Sequence, residues 1–148
     1  MTVVIANATI DAAREFFEAR GAHGCEGTAM IASNDETTRL VIPTQEATPA
    51  PHCTVSVTDE GKLDLVASLA NDERYVARIH SHPASAFHSA TDDANPAITF
   101  DGALSIVAPF FGLGLRTGFD SCAVFRYNRG RWIELHPGRA RDAAVVIR

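Results

Sequence analysis

The chain is poor in the residues that would make several common functions easy to read. Among its 148 residues are only three cysteines, two methionines and one tryptophan. Cys25, Cys53 and Cys122 are odd in number, far apart and never in a C-x-x-C pair. A disulfide framework or a cysteine zinc knuckle is therefore not expected, and a reducing cytoplasm fits better. Basic residues are scarce and unclustered: 13 Lys+Arg against 18 Asp+Glu leave a net charge of −5. A mildly acidic chain is a poor match for a phosphate backbone, so nucleic acid is not expected as a partner. No apolar run approaches a membrane span, and "MTVVIANATIDAAREFF" lacks the basic start of a signal peptide. A soluble, cytoplasmic protein with no membrane partner is expected. The stretch "PFFGLGLRTG" has a G-x-G but no third glycine at dinucleotide spacing, so a Rossmann fingerprint is excluded. An H-E-x-x-H helix is missing too, as is the H-x-E with P-C-x-x-C of zinc nucleobase deaminases.

What is present reads as an ordinary globular chain, 46% hydrophobic and 21% charged, long enough to bury a core as one domain over residues 1–148. Thr9 can cap a helix running to Gly21, with Asp11 in its first turn and Ile10, Ala13 and Phe17 as an inward stripe. "CEGTAMIAS", "TRLVIP" and "CTVSVT" read as strands, and "TQEATPAPH" as a loop between the last two. Thr58 and Asp59 precede a second helix in which Leu63, Val66 and Leu69 recur at i, i+3, i+6. "RYVARIHSH" and "GALSIVAP" are further strands, and "SCAVFRY-NRG-RWIELH" is a hairpin turning at Asn128-Arg129-Gly130. Residues 138–148 could form a helix or an edge strand. The fold class is α/β, an α+β mixed sheet with flanking helices.

Chemistry concentrates in "RIHSHPASAFHSATDD", Arg78 to Asp93. Alternation along a strand points His80 and His82 to one side and Ser81 to the other. Two imidazoles so spaced at a strand end can grip one metal ion, and zinc suits them. Asp92, in "SATD", offers a third ligand. An H-x-H pair alone is weak evidence, because surface loops are often rich in His, Ser and Asp. Strand context, Pro83 directly after His82 and the nearby S-x-x-D strengthen it. Hydrolysis also needs a base. In "GCEGTAMIA", Glu26 is the sole charged residue of an otherwise apolar run, sharing a face with Thr28 and Met30 while Cys25 turns away with Gly27 and Ala29. A buried carboxylate needs a cation or donor to answer it; a Glu opening the strand in solvent would need neither. Cys25, beside Glu26, could be taken for a nucleophile, but alternation turns it away and it reads as a small hydrophobe. His23, His52 and His136 have no partner spacing, and His88 reads as a solvated loop residue, a substrate contact or a neighbour of the ligands. Phe110 and Phe111 belong either to the core or to an apolar rim.

A helix, then Glu on a strand, a second helix, H-S-H-P at a strand end and S-x-x-D resembles the JAMM (JAB1/MPN/Mov34) zinc metalloproteases, nearest the compact prokaryotic JAB-domain type. The likeness covers Ala8 to Pro109. It implies an MPN/cytidine-deaminase-like architecture, with His80, His82 and Asp92 as zinc ligands and water as the fourth. It further implies Glu26 as general base and Ser89 as hydrogen-bond donor to the oxyanion. The reaction implied is hydrolysis of a peptide or isopeptide bond after the C-terminal glycine of a ubiquitin-like protein, in deconjugation or precursor processing, with an E1-like enzyme encoded nearby as a further partner. Two departures stand out. The family has seven residues between the second His and the Ser, and here Pro83 to His88 are six. Counting from His82 by the family spacing makes Asp93 the ligand, whereas the S-x-x-D relation to Ser89 makes it Asp92. Ala29 also stands where the family often has Gly. The competing class is a catalytically silent MPN-type scaffold, which would lack one or more ligands; this chain keeps all five positions.

Overall fold

The computed structural model describes residues 1–48, 53–87, 98 and 100–148. Among these, six strands form one mixed sheet in the order β3 (Thr38–Val41), β2 (Thr28–Ser33), β6 (Arg74–Ser81), β7 (Leu104–Ala108), β8 (Ala123–Asn128) and β9 (Arg131–Glu134). Every pairing is antiparallel except β6 with β7. β6 and β7 are the central strands and are buried on both faces; β7 (LSIVA) is nearly all apolar, whereas β6 carries Arg78, His80 and Ser81 into the interior.

One face of the sheet carries Ala29, Ile31, Ile79, Leu104, Ile106 and Val124, and packs on helix α1 (Asn7–Gly21) through Ile10, Ala13 and Phe17. The inward stripe expected of this helix is thus present. Its start differs, because Ala6 is the N-cap and makes no side-chain cap. Thr9 lies inside the helix, its hydroxyl donating to the Thr38 carbonyl at 3.0 Å, while the Thr38 hydroxyl accepts from Ala6 N–H at 2.9 Å. A residue 32 positions away therefore serves the helix start, and nothing local in the sequence announces it.

The expected second helix is α2 (Asp59–Ala67), which starts at Asp59 itself; Thr58 is its N-cap, Gly61 N–H donating to the Thr58 hydroxyl at 3.0 Å. Two of the apolar triplet, Leu63 and Val66, are 71% and 75% exposed. Its third member, Leu69, just past the helix, packs with Leu65 on Met30, Ala32 and Val41, at one end of the second sheet face. The expected loop after Pro43 contains a short strand, β4 (Gln45–Ala47), paired antiparallel with β5 (Val55–Val57). The β8–β9 hairpin closes through Arg129 and Gly130 alone, at φ 47° and 88°, while Asn128 and Arg131 form the last pair. Left-handed conformation at both central residues is the two-residue turn that matches strand twist. The C-terminal stretch is both alternatives in succession: helix α3 (Arg139–Ala144), then β10 (Val145–Ile147) parallel to β1 (Val3–Ile5).

The cysteine reading is overturned. Cys25 and Cys53 are joined by a disulfide with a Cα separation of 4.7 Å, and Cys122 alone is free. Twenty-eight residues separate the two in sequence; the β2–β3–β4 excursion returns the chain to its starting point, which spacing alone does not reveal. The argument from unpaired cysteines to a reducing compartment falls with it. No helix among the described residues is long and apolar enough to cross a membrane.

Candidate metal centre

β6 ends inside the protein, and its last residues bring the histidines to the second sheet face. The register pairs Met30 with Arg78 and Thr28 with His80, so these four side chains share the side that α2 covers. Ile79, paired with Ala29, points to the α1 side. Along this second face a polar strip of Thr28, Arg78, His80 and Ser105 lies between two apolar clusters. One is the Met30–Val41 group under α2; the other joins Val107, Ala123 and Phe125 to Ala86 and Trp132.

His80 and His82 are 7% and 6% exposed, and their ring centroids stand 5.1 Å apart. Two imidazoles so close, and so deeply buried, present the nitrogen donors that divalent transition metals favour. His82 is held on both of its peptide groups. Its N–H donates to the Ala108 carbonyl at 2.9 Å, and its carbonyl accepts from Phe111 N–H at 2.8 Å. Phe87 closes edge-on over the His82 ring at 4.6 Å. Phe110 and Phe111 sit at φ 55° and 52°, a conformation rare for bulky residues. That turn brings the Phe111 amide to His82. It also leaves Phe110 half-exposed, as a rim residue would be, while Phe111 lies against Gly21.

Ser81, between the histidines, points the other way, as alternation requires, and is fully buried. Its hydroxyl accepts from Gly27 N–H at 2.9 Å, and its own N–H donates to the Gly27 carbonyl at 3.0 Å. These two bonds extend the β2–β6 ladder past Thr28 and stitch the Glu26–Gly27 segment to the Ser81–His82 end of β6. Glu26 is half-buried and precedes the strand rather than lying within it. Its N–H donates to the Cys53 carbonyl at 3.1 Å, and its carbonyl accepts from Arg20 Nε at 2.6 Å. Nearby, the Gln45 amide takes the place of a strand neighbour for Thr28, accepting from its N–H at 3.0 Å and donating to its carbonyl at 2.9 Å.

Of the residues picked from the sequence, Glu26, His80 and His82 are therefore drawn to one end of the β2–β6 pair. Ser89, Asp92, Asp93, His88 and His52 lie outside the described residues. Among the described residues no third His, Cys, Asp or Glu joins the two histidines. His23 and His136 are exposed. Cys25 is tied into the disulfide rather than packed as a free thiol.

Sequence reasoning passed over Arg78, Ser105, Ser81 and Arg20. Arg78 is 7% exposed, two residues before His80 on the same face, and its guanidinium donates to the Ser105 hydroxyl at 3.3 Å. A buried arginine in a polar strip is an electrostatic element of the site. Its position in the "RIHSH" alternation was the signal that could have found it.

The model of the family described as prokaryotic homologs of the JAB domain matches residues 10–109. A protein of Sinorhizobium fredii bearing the name probable metalloprotease is 43% identical over 63 residues, 40% of this chain. That match spans only 37% of the relative's own length. Two solved structures share the fold at low identity. A JAB1/MPN domain protein from Archaeoglobus fulgidus aligns with a TM-score of 0.52 at 16% identity, covering 98% of each chain. A protein from Desulfitobacterium hafniense aligns with a TM-score of 0.58 at 14% identity, covering 99% of this chain and 93% of that one.

Proposed function

Because the chain belongs to the family of prokaryotic homologs of the JAB domain, we propose that it is a zinc-dependent metallopeptidase. The observation that carries this reading is the buried His80–His82 pair with the Glu26 segment stitched beside it. The name of the Sinorhizobium relative supports the same activity class. The donors fit zinc: two imidazoles plus one carboxylate, Asp92 by the S-x-x-D relation or Asp93 by the family spacing, leave a position open for reaction. When bound, zinc supplies Lewis-acid polarisation of the scissile carbonyl and makes a water acidic near neutral pH.

The chain's own residues do the rest. The Glu26 carboxylate takes a proton from the attacking water and passes it to the leaving nitrogen. Its backbone, held by Cys53, Arg20 and the Ser81–Gly27 bonds, keeps that carboxylate from wandering between the two transfers. The Ser89 hydroxyl donates to the oxygen on which negative charge grows. His80 and His82 hold their position because β6 and the Ala108 and Phe111 backbone contacts fix them. Phe110 and Phe87, both more than half exposed, form an apolar margin against which an extended peptide tail can lie.

The substrate class is a ubiquitin-like protein, cleaved at a peptide or isopeptide bond after its C-terminal glycine, and an E1-like enzyme is the natural partner of such a deconjugase. The test is cleavage of a ubiquitin-like protein fused through its C-terminal glycine to a fluorescent reporter. Glu26→Ala should lose on the order of a hundredfold or more in kcat while binding as much zinc as the parent. A variant that cleaves as fast as the parent would remove Glu26 from the role of base.

A further inference from the structure

The residue before the proposed base is half of a disulfide, and the residue at the disulfide's other end holds the base's backbone. Cys25 precedes Glu26 directly, and Cys53, its covalent partner, offers the carbonyl that accepts the Glu26 N–H at 3.1 Å. Cys25 and Cys53 also form an isolated parallel bridge, so covalent and hydrogen-bonded ties act on the same pair of segments. Upstream of Cys25 the chain makes an exposed turn through Ala22, His23 and Gly24, with Gly24 at φ 71°. Downstream, Gly27 is fixed by Ser81. Glu26 therefore stands between a surface turn and a rigid strand end, and the disulfide is the covalent bond that fastens the turn side.

We propose that Cys25–Cys53 is a reversible thiol–disulfide exchange site, taking a small or protein dithiol as reactant, whose oxidised form fixes Glu26 for its work. This rests on the reading of Glu26 as base. Both cysteines are half-buried rather than enclosed in the core. The third cysteine does not compete, since Cys122 is buried and its thiol is pushed up to about 12 by that burial. In the exchange, one thiolate of the dithiol attacks a sulfur of the pair. The S–S bond breaks, a mixed disulfide forms, and the displaced cysteine leaves as a thiolate and takes up a proton. The second thiol of the reagent then attacks the mixed disulfide. The remaining cysteine is released as a thiol, and the reagent departs as its own disulfide. Two electrons pass to the protein, which gains two protons.

Reduction leaves the Arg20 and Ser81 contacts in place and removes the covalent hold on the Cys53 carbonyl. The Glu26 N–H then loses its partner, while the Gly27 N–H keeps its bond to Ser81. The full chain as purified, treated with dithiothreitol and followed by residue-resolved amide exchange, should show Glu26 exchanging at least about tenfold faster and Gly27 changing by less than about twofold. Reoxidation should restore the original rate. Cys53→Ser should reproduce the reduced pattern without any reductant, which separates the effect from metal loss to the dithiol. Native alkylation should label no cysteine before reduction and two after it. Cleavage of the reporter fusion should slow on the order of tenfold or more on reduction, because small misplacements of a reacting group are costly. Three labelled cysteines in unreduced protein, or a Glu26 amide indifferent to reduction, would overturn the proposal. If instead the amide responds but Glu26→Gln cleaves like the parent, the exchange site stands and the base assignment fails.

Discussion

Replacing Ser81 with alanine separates the fastening of the Glu26 segment from the metal-holding role proposed for the flanking histidines. The serine is fully buried, and its hydroxyl is the acceptor for Gly27 N–H at 2.9 Å. Alanine fits the space but leaves that buried amide without a partner, at a cost of about 1–3 kcal/mol. For a chain of this size that corresponds to a melting temperature lower by roughly 3–10 °C. The histidines should be little affected, because β6 keeps its ladder with β7 and His82 keeps both backbone contacts. Zinc affinity should therefore change by less than about tenfold, since the proposed ligands themselves are untouched. Thermal unfolding gives the first quantity, amide exchange at Gly27 localises it, and competition with a chromophoric chelator gives the affinity. A Ser81→Ala protein with parental stability and a still-protected Gly27 amide would refute the claim that this hydroxyl stitches the Glu26 segment to β6.

Two further outcomes follow from the packing and the charges. Gly112 sits at φ 89°, and a Cβ there would lie 2.6 Å from Cβ of Phe17 in the core; Gly112→Ala should cost about 2 kcal/mol or more, read as a lower urea midpoint. Glu73 accepts from Arg39 Nε and Nη2 at 2.8 and 2.7 Å and from Ala70 N–H at 2.9 Å. The Arg39 hydrogen bonds chiefly, with the Ala70 amide second, hold its carboxyl down at about 2. A carboxyl more acidic folded than unfolded stabilises above its unfolded value and loses that contribution as pH falls toward the folded one. The stability gap between the parent and Glu73→Gln should therefore be steady above pH ~5 and close progressively between about 4.5 and about 2, as followed by urea unfolding at each pH.

Legibility varied with how local the cause was. The α1 stripe, the α2 helix and the β8–β9 turn were readable because each depends on residues within one or two turns of chain. The strand ends at His80 and His82 were readable for the same reason: period-two alternation and a following proline are local. The α1 start was not, since Thr38 supplies it from across the fold. The spacing of Leu63, Val66 and Leu69 marked the α2 helix without saying which side meets the sheet; Leu65 and Leu69 make that contact. The Cys25–Cys53 pair was invisible because 28 residues of hairpin must fold before the sulfurs meet. At the site, the sequence identified residue types suited to chemistry, while the bonds that hold them, from Ser81, Arg20, Phe111 and Cys53, depend on tertiary contacts. Their donors and acceptors are mostly backbone, and backbone carries no sequence signature.

Equilibrium zinc binding is the direct test of the proposal that His80 and His82 hold a catalytic metal. Metal-free protein titrated against a competing chelator should bind one zinc per chain. His82→Ala should weaken that affinity by at least about a hundredfold while the melting temperature without metal stays close to the parent's. A protein that takes up no zinc, or whose His82→Ala variant binds it as tightly as the parent, would rule out a metal held by these histidines.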